Sequence, residues 1–165
     1  KRRYGVREVS DFILRADGAI PALCLGTDLM AGFPGETEDD FEQTCRTFLD
    51  LPFSYCHVFT FSEREGTIAS KIPDSVRMAA RRHRSSALRR LSAAKRHDYY
   101  QEQVGREAIV LIEDIKDGNW PGYTENYVRV LIHSDRSDLA NRLARVSLRK
   151  VCLEYVEAEI LEVLD

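Results

Sequence analysis

The sequence predicts an α+β chain in two parts: an α/β segment in which helices and strands alternate, then a small closed β-barrel of about five strands. Three observations carry this reading. Helical and strand periodicities alternate with short connections through residues 6–61, the grammar of a parallel βα barrel. A long polar helix follows over residues 75–103. Beyond Gly105, about five short strands fit into roughly 60 residues, a density that suits a small barrel.

With 165 residues, 44% of them hydrophobic and 31% charged, the chain is long enough to bury a real core and has a soluble globular balance. No apolar run approaches the roughly 20 residues of a membrane span, and no secretory signal opens the sequence. A cytoplasmic location and no membrane partner are therefore expected. The start, Lys1-Arg2-Arg3-Tyr4, lacks an initiator Met and reads as a cut inside a longer protein. Cys24, Cys45, Cys56 and Cys152 fall in no C-x2-C or C-x3-C-x2-C pattern, so no zinc or cluster site is expected here and the thiols read as reduced. The formal net charge of −3 conceals segregation, with nets of +1 over residues 1–35, −6 over 36–74, +6 over 75–103 and −4 over 104–165. A polyanion is expected to meet the basic island first.

Val6, Val9, Phe12, Ile13 and Ala16 recur at helical spacing and predict an amphipathic helix over 6–17, ended by Asp17-Gly18 and Pro21. Leu23, Leu25, Leu29 and Met30 predict a strand over 23–31. It enters Gly32-Phe33-Pro34-Gly35, where two glycines permit a sharp turn or a close ligand approach and Pro34 stiffens the loop. Such strand-end loops bind ligands in α/β folds; a plain turn is the other reading. Thr37 is placed to cap a helix over 37–50, with Asp40 completing an acidic capping box and Phe41, Cys45, Phe48 and Leu49 as the buried face. A second strand over 54–61 puts Tyr55, His57, Phe59 and Phe61 on one face and Cys56, Val58 and Thr60 on the other. Both faces are apolar enough to predict a strand covered on both sides. His57 reads as a core histidine before a general acid or base, because no carboxylate or second His stands at a useful spacing. Arg64, just past this strand, is placed to grip a carboxylate or phosphate, or else to pair with Glu63 or Glu65.

In the long helix, Val76, Ala80, His83, Ala87, Leu91 and Ala94 step by three or four and predict the packed stripe. Arg81, Arg82, Arg89 and Arg90 belong to the remaining basic surface, with few acids available to pair with them, and are candidates for phosphate contact. After Gly105, strands are expected at 108–112, 127–133, 144–151 and 155–164, with a turn at Lys116-Asp117-Gly118-Asn119. Leu161 to Leu164 reads equally as a short helical end. Tyr123 and Tyr127 offer faces for stacking bases and Arg129 a phosphate or stacking contact, while Tyr127 serves as well to close a small barrel.

Two stretches carry a resemblance. TDLMAGFPGETEDDF, residues 27–41, looks like the fifth strand and following helix of the radical S-adenosylmethionine methylthiotransferases. Residues 57–69, with Arg64, Gly66, Thr67 and Ala69, resemble that family's HVF-x-[YF]-S-x-R-x-G-T-x-A segment. In the barrel, Gly122-Tyr123-Thr124-Glu125-Asn126-Tyr127-Val128 is similar to the G-[RY]-[TS]-x-N-x-x-V core of TRAM domains, OB-like barrels appended to tRNA-modifying enzymes. Several subfamilies carry Arg where this chain has Tyr123, and the Tyr form looks most like the enzymes acting on threonylcarbamoyladenosine.

The resemblance implies that residues 1–74 are the C-terminal part of a radical S-adenosylmethionine partial barrel, 75–104 a basic linking helix and 105–165 a TRAM domain. The parent enzyme would add a methylthio group to N6-threonylcarbamoyladenosine beside the anticodon, using S-adenosylmethionine, two 4Fe-4S clusters and an electron donor. Isopentenyladenosine or a ribosomal protein is the alternative substrate, and a non-enzymatic RNA-binding module the alternative of another class. Gly32, Phe33, Pro34, Arg64 and Arg3 would shape the cofactor site, and Tyr123, Asn126, Tyr127, Arg129, Arg81, Arg82, Arg89 and Arg90 would meet the tRNA anticodon stem-loop. The cluster cysteines would precede Lys1, so the chain would bind no cofactor fully and be inactive alone. Its first strand would leave an open edge able to self-associate.

Overall fold

The structure, a computed structural model, describes residues 4–164. It forms two compact units, Lys1–Arg96 and His97–Asp165.

In the first unit, α1 (Val6–Ala19), β1 (Gly26–Ala31), α2 (Glu38–Asp50) and β2 (Tyr55–Thr60) follow one another as expected, and α3 (Met78–Gln103) begins there. β1 and β2 are parallel, in register from Gly26 opposite Tyr55 to Ala31 opposite Thr60. Thr37 caps α2: its Oγ1 accepts the Asp40 N–H at 3.1 Å, and Asp40 Oδ2 accepts the Thr37 N–H at 3.0 Å. Hydrogen bonds from the Thr37 hydroxyl and amide hold the Asp40 carboxyl below the ordinary carboxylate range.

Leu29, Ala31 and Val58 pack one face of this sheet against Phe41 and Cys45 of α2 and Ala87 and Leu88 of α3. The opposite face is open. Met30 and Phe59, cross-strand partners, are 52% and 51% exposed, and His57 is exposed beside them. Two expectations are corrected here: β2 is not covered on both sides, and His57 is not a core histidine. The reason is that α2 and α3 both lie over the Leu29–Val58 face, and among the described residues the sheet has only two strands. The same openness shows on α1, where Ile13 is buried but Val6 and Phe12 are exposed, and on α2, where Leu49 is exposed rather than packed.

The buried line of α3 also differs from the expected stripe. It runs through Arg81, Arg84, Ser85, Leu88 and Ser92, one position away from the apolar residues that predicted it, and His83 and Ala94 face outward. Polar side chains hold this line because β2 offers them partners. The Cys56 N–H donates to Ser92 Oγ at 2.9 Å and the Ser92 hydroxyl donates to the Cys56 carbonyl at 3.0 Å, while Thr60 and Ser85 hydroxyls meet at 2.7 Å. The Ser92 bonds satisfy the Cys56 N–H and carbonyl of β2. Burial raises the Cys56 thiol above its ordinary value, against hydrogen bonding with Ser92.

The second unit is a closed barrel of β3 (Glu107–Ile112), β4 (Trp120–Thr124), β5 (Arg129–Ile132), β6 (Leu143–Cys152) and β7 (Tyr155–Leu164), ordered β3-β4-β5-β7-β6. Neighbours are antiparallel except β5 and β7. Val110, Ile112, Val130, Val146, Leu148 and Val156 fill its interior. The last turns of α3 contribute buried Tyr99, Tyr100 and Gln103. The expected five-stranded barrel is thus present, and residues 161–164 are strand, not a helical end. β4 had no periodicity to announce it, because Pro121 and Gly122 sit in its middle. Gly122 is needed there: a Cβ would lie 2.6 Å from the Leu111 carbonyl oxygen.

Candidate functional site

Two loops leave the carboxyl ends of β1 and β2. The first, residues 32–37, has Gly32 at φ +81° and Gly35 at φ +83°, a backbone that other L-residues rarely adopt. Within it Glu36 Oε2 accepts the Gly32 N–H at 2.7 Å and the Glu36 N–H donates to the Phe33 carbonyl at 3.0 Å, while the Gly35 N–H donates to the Asp74 carbonyl of the second loop at 3.0 Å. Phe33 is 42% exposed and meets buried Phe61 edge-on, with ring centroids 5.3 Å apart. Phe33, Met30 and Phe59 give this end of the unit exposed apolar surface next to a glycine-rich turn.

The second loop, residues 61–75, carries Arg64. Its side chain is exposed, and its carbonyl accepts the Thr67 hydroxyl at 2.8 Å. Of the alternative partners for Arg64, Glu63 is instead taken by Arg81 at 2.6 Å and by the Ser75 hydroxyl at 2.9 Å. Those two hydrogen bonds, with the Arg81 charge, hold the Glu63 carboxyl below the ordinary range. Arg3 lies outside the described residues.

Arg81 is a correction to the expected basic face. It is 4% exposed, with Nε on the Val76 carbonyl at 2.7 Å and Nη1 on the Phe61 carbonyl at 3.3 Å, so it faces the loops and not solvent. Arg84, one turn on, is buried likewise and pairs with Glu36 at 2.8 Å and Glu38 at 2.9 Å. Burial works against its charge, but the hydrogen bonds to Glu38 and Glu36 prevail and the guanidinium is held more firmly protonated than usual. Arg82, Arg89 and Arg90 are exposed as expected.

In the barrel, Tyr123 and Tyr127 are 40% and 69% exposed, with ring centroids 6.3 Å apart and planes tilted by 57°. With Ile109, Leu111 and Leu143 they line a groove of about 370 Å³. Tyr127 sits at φ +61°, an unusual conformation for an aromatic residue. A tight turn holds it there: the Tyr127 N–H donates to the Thr124 carbonyl at 3.0 Å and the Val128 N–H to Thr124 Oγ1 at 2.8 Å. Asn126 is tied into this turn. Its Oδ1 accepts the Thr124 hydroxyl at 2.6 Å, its Nδ2 donates to Gln103 Oε1 at 3.2 Å, and its carbonyl accepts the Tyr99 hydroxyl at 2.8 Å. Arg129 is half-buried opposite Tyr123, and its N–H donates to the Tyr100 hydroxyl at 3.3 Å.

No model of a known protein family matches the chain. Curated relatives do. The chain is 29% identical throughout its length to a threonylcarbamoyladenosine tRNA methylthiotransferase of Bacillus subtilis, covering 38% of that protein. It is 35% identical over 90% of its length to a tRNA-2-methylthio-N(6)-dimethylallyladenosine synthase of Chromobacterium violaceum, covering 34% of it. A synthase of the same name from Methylobacillus flagellatus is 31% identical over 97% of the chain and 37% of the relative.

These homologues, matched along nearly the whole chain, are tRNA methylthiotransferases.

The chain spans little more than a third of the length of these relatives. The described residues contain no group of three or more His, Cys, Asp or Glu side chains placed to hold a metal ion. No described helix is long and apolar enough to cross a membrane. The residues that sequence reasoning missed are Arg84 and Glu36, which look like ordinary surface charges in the sequence. The available signal was the excess of Arg over acid within the helix, which demanded acidic partners from elsewhere in the chain.

Proposed function

We propose that this chain supplies the end of the catalytic barrel and the RNA-binding barrel of a cytoplasmic radical S-adenosylmethionine enzyme. Its substrate is N6-threonylcarbamoyladenosine beside the tRNA anticodon, to which it adds a methylthio group. The observation carrying this reading is the homology to tRNA methylthiotransferases over the whole chain, joined to an open glycine-rich loop at a strand end. A dimethylallyladenosine (isopentenyladenosine) substrate is the second reading, favoured by the synthases among the relatives. The Tyr123 form of the barrel motif favours the first.

Of Gly32, Phe33 and Pro34, Phe33 is the one that presents a wall to S-adenosylmethionine, with buried Gly32 and Pro34 shaping the turn behind it. The exposed Phe33 ring and the open space at Gly35, where a Cβ would meet nothing within 4 Å, fit a flat apolar ring system. S-adenosylmethionine, with a reduced 4Fe-4S cluster, would supply radical chemistry at an unactivated C–H bond when bound. Phe33 and Met30 exclude water from that wall, and exposed Arg64 orients a carboxylate or phosphate by charge and hydrogen bonds. Two 4Fe-4S clusters and an electron donor belong to this reading, with their ligands elsewhere in the complete enzyme, so the chain alone would be inactive. The open face of the sheet and the exposed apolar side of α1 suit further barrel strands, or a second copy when those are missing.

The anticodon stem-loop is the proposed RNA partner. On the barrel, the tilt and closeness of Tyr123 and Tyr127 leave no parallel slot, so a base stacks on one ring while the other walls the groove. Arg129 lies beside them for a phosphate. On α3, Arg82, Arg89 and Arg90 contribute salt-dependent attraction. The test is methylthiolation, by the complete reconstituted enzyme, of anticodon stem-loops carrying either threonylcarbamoyladenosine or isopentenyladenosine. Turnover on the first alone supports the proposal; turnover on the second alone transfers it to the other substrate.

A further inference from the structure

Loops at strand ends are ordinarily the mobile part of an α/β fold, yet both loops here are tied to one helix by buried arginines. Arg84 Nη1 donates to Glu36 Oε2 at 2.8 Å and to the Glu36 carbonyl at 3.0 Å, and Nη2 donates to Glu38 Oε2 at 2.9 Å. The same Glu36 Oε2 accepts the Gly32 N–H at 2.7 Å. The Arg84 and Glu36 side chains are 7% and 13% exposed, so this relay is shielded from solvent. Arg81, three residues earlier and on the same helix face, holds Phe61, Glu63 and Ser75 of the other loop with its guanidinium. Its stem meanwhile packs on Gly32, so closely that a Cβ there would lie 2.4 Å from Arg81 Cγ.

We propose that Arg84, acting through Glu36, and Arg81, acting through Glu63 and Ser75, are positioning residues that preset the two loops for S-adenosylmethionine before it binds. This rests on the cofactor wall assigned above. Neither arginine touches the cofactor; each fixes the backbone that does. The guanidinium fork is essential to Arg84, because its two ends reach two different carboxylates, a geometry that a lysine ammonium reproduces only in part. A displacement of about 1 Å in such a wall costs up to roughly a hundredfold in function.

The test uses the complete protein carrying this sequence, with its clusters reconstituted, and two readouts: equilibrium dissociation constants for S-adenosylmethionine, and amide hydrogen exchange. The variants are Arg84→Gln, Arg84→Lys, Glu36→Gln and the double Arg84→Gln/Glu36→Gln, with Arg46→Ala on the exposed face of α2 as control. Arg84→Gln is expected to weaken cofactor binding about ten- to a hundredfold and to speed exchange at the Gly32 amide while β1 and β2 amides keep their protection. Arg84→Lys should recover part of the affinity, Glu36→Gln should resemble Arg84→Gln, and the double variant should be no worse than the single. Unchanged affinity in Arg84→Gln and Glu36→Gln, with wild type binding normally, overturns the positioning role alone. So does a loss of protection spread equally over β1 and β2, which marks a purely structural part. A wild-type protein that binds no S-adenosylmethionine overturns the cofactor wall and the inference together.

Discussion

Gly32 and Gly35 differ in one respect that a pair of alanine substitutions isolates. Both have φ near +80°, at +81° and +83°. Placing an L-residue there costs about 1–2 kcal/mol in either case, offset by about 0.4–1 kcal/mol from the stiffer unfolded chain. At Gly35 a Cβ meets nothing within 4 Å, so Gly35→Ala should cost little beyond that, about 1 kcal/mol. At Gly32 the Cβ falls 2.4 Å from Arg81 Cγ and 3.0 Å from its Cβ. Arg81 cannot swing aside cheaply, because its guanidinium is held by Val76, Phe61, Glu63 and Ser75. Overpacking adds about 1–3 kcal/mol, so Gly32→Ala should cost about 2–4 kcal/mol. Urea unfolding separates the units, since helical ellipticity is dominated by α1, α2 and most of α3, and the single Trp120 reports on the barrel. The ellipticity midpoint should fall far more for Gly32→Ala than for Gly35→Ala, with the Trp120 transition unmoved. Equal losses for the two variants would refute the close approach of Arg81 to Gly32.

Ser92→Ala strands the Cys56 N–H and carbonyl at the edge of β2, and should cost about 1–3 kcal/mol with faster exchange at the Cys56 amide, read by mass spectrometry. The Glu63 carboxyl is held below its ordinary value of 4.5 by Arg81 and Ser75. A depressed folded value gives stability that is present above the unfolded value and lost as pH falls through the folded one. Glu63→Gln should therefore lower stability at neutral pH and flatten its decline below about pH 4.5, in ellipticity-monitored unfolding across a pH series. Tyr127→Asn relieves the left-handed backbone, so the Trp120 transition should show a gain of up to about 1 kcal/mol. RNA affinity, by fluorescence anisotropy, should fall, and a retained affinity would remove Tyr127 from the interface.

Much of this molecule could be read from residues that act locally. Thr37 and Asp40 announce a helix start by their spacing, and the structure has their reciprocal bonds. Gly-Phe-Pro-Gly announces a turn, and both glycines adopt the backbone that turn needs. What escaped depends on partners distant in sequence. Arg81 reads as part of the basic surface, yet it faces inward with Arg84, Ser85 and Ser92, because Glu63, Glu36, Thr60 and Cys56 stand there to satisfy them. The composition around His57 and Phe59 predicts cover, but coverage is set by which elements surround a strand, not by the strand's own composition. β4 was hidden because Pro121 and Gly122 suppress the strand pattern, although the close approach to β3 is what requires the glycine.

The central claim is that this chain belongs to an enzyme methylthiolating threonylcarbamoyladenosine in tRNA. It is tested most directly by mass spectrometry of nucleosides from total tRNA, in cells with the gene, without it, and with it restored. The account predicts that 2-methylthio-threonylcarbamoyladenosine alone disappears on deletion and returns on restoration. Survival of that nucleoside, whether or not another methylthio product vanishes, would contradict it.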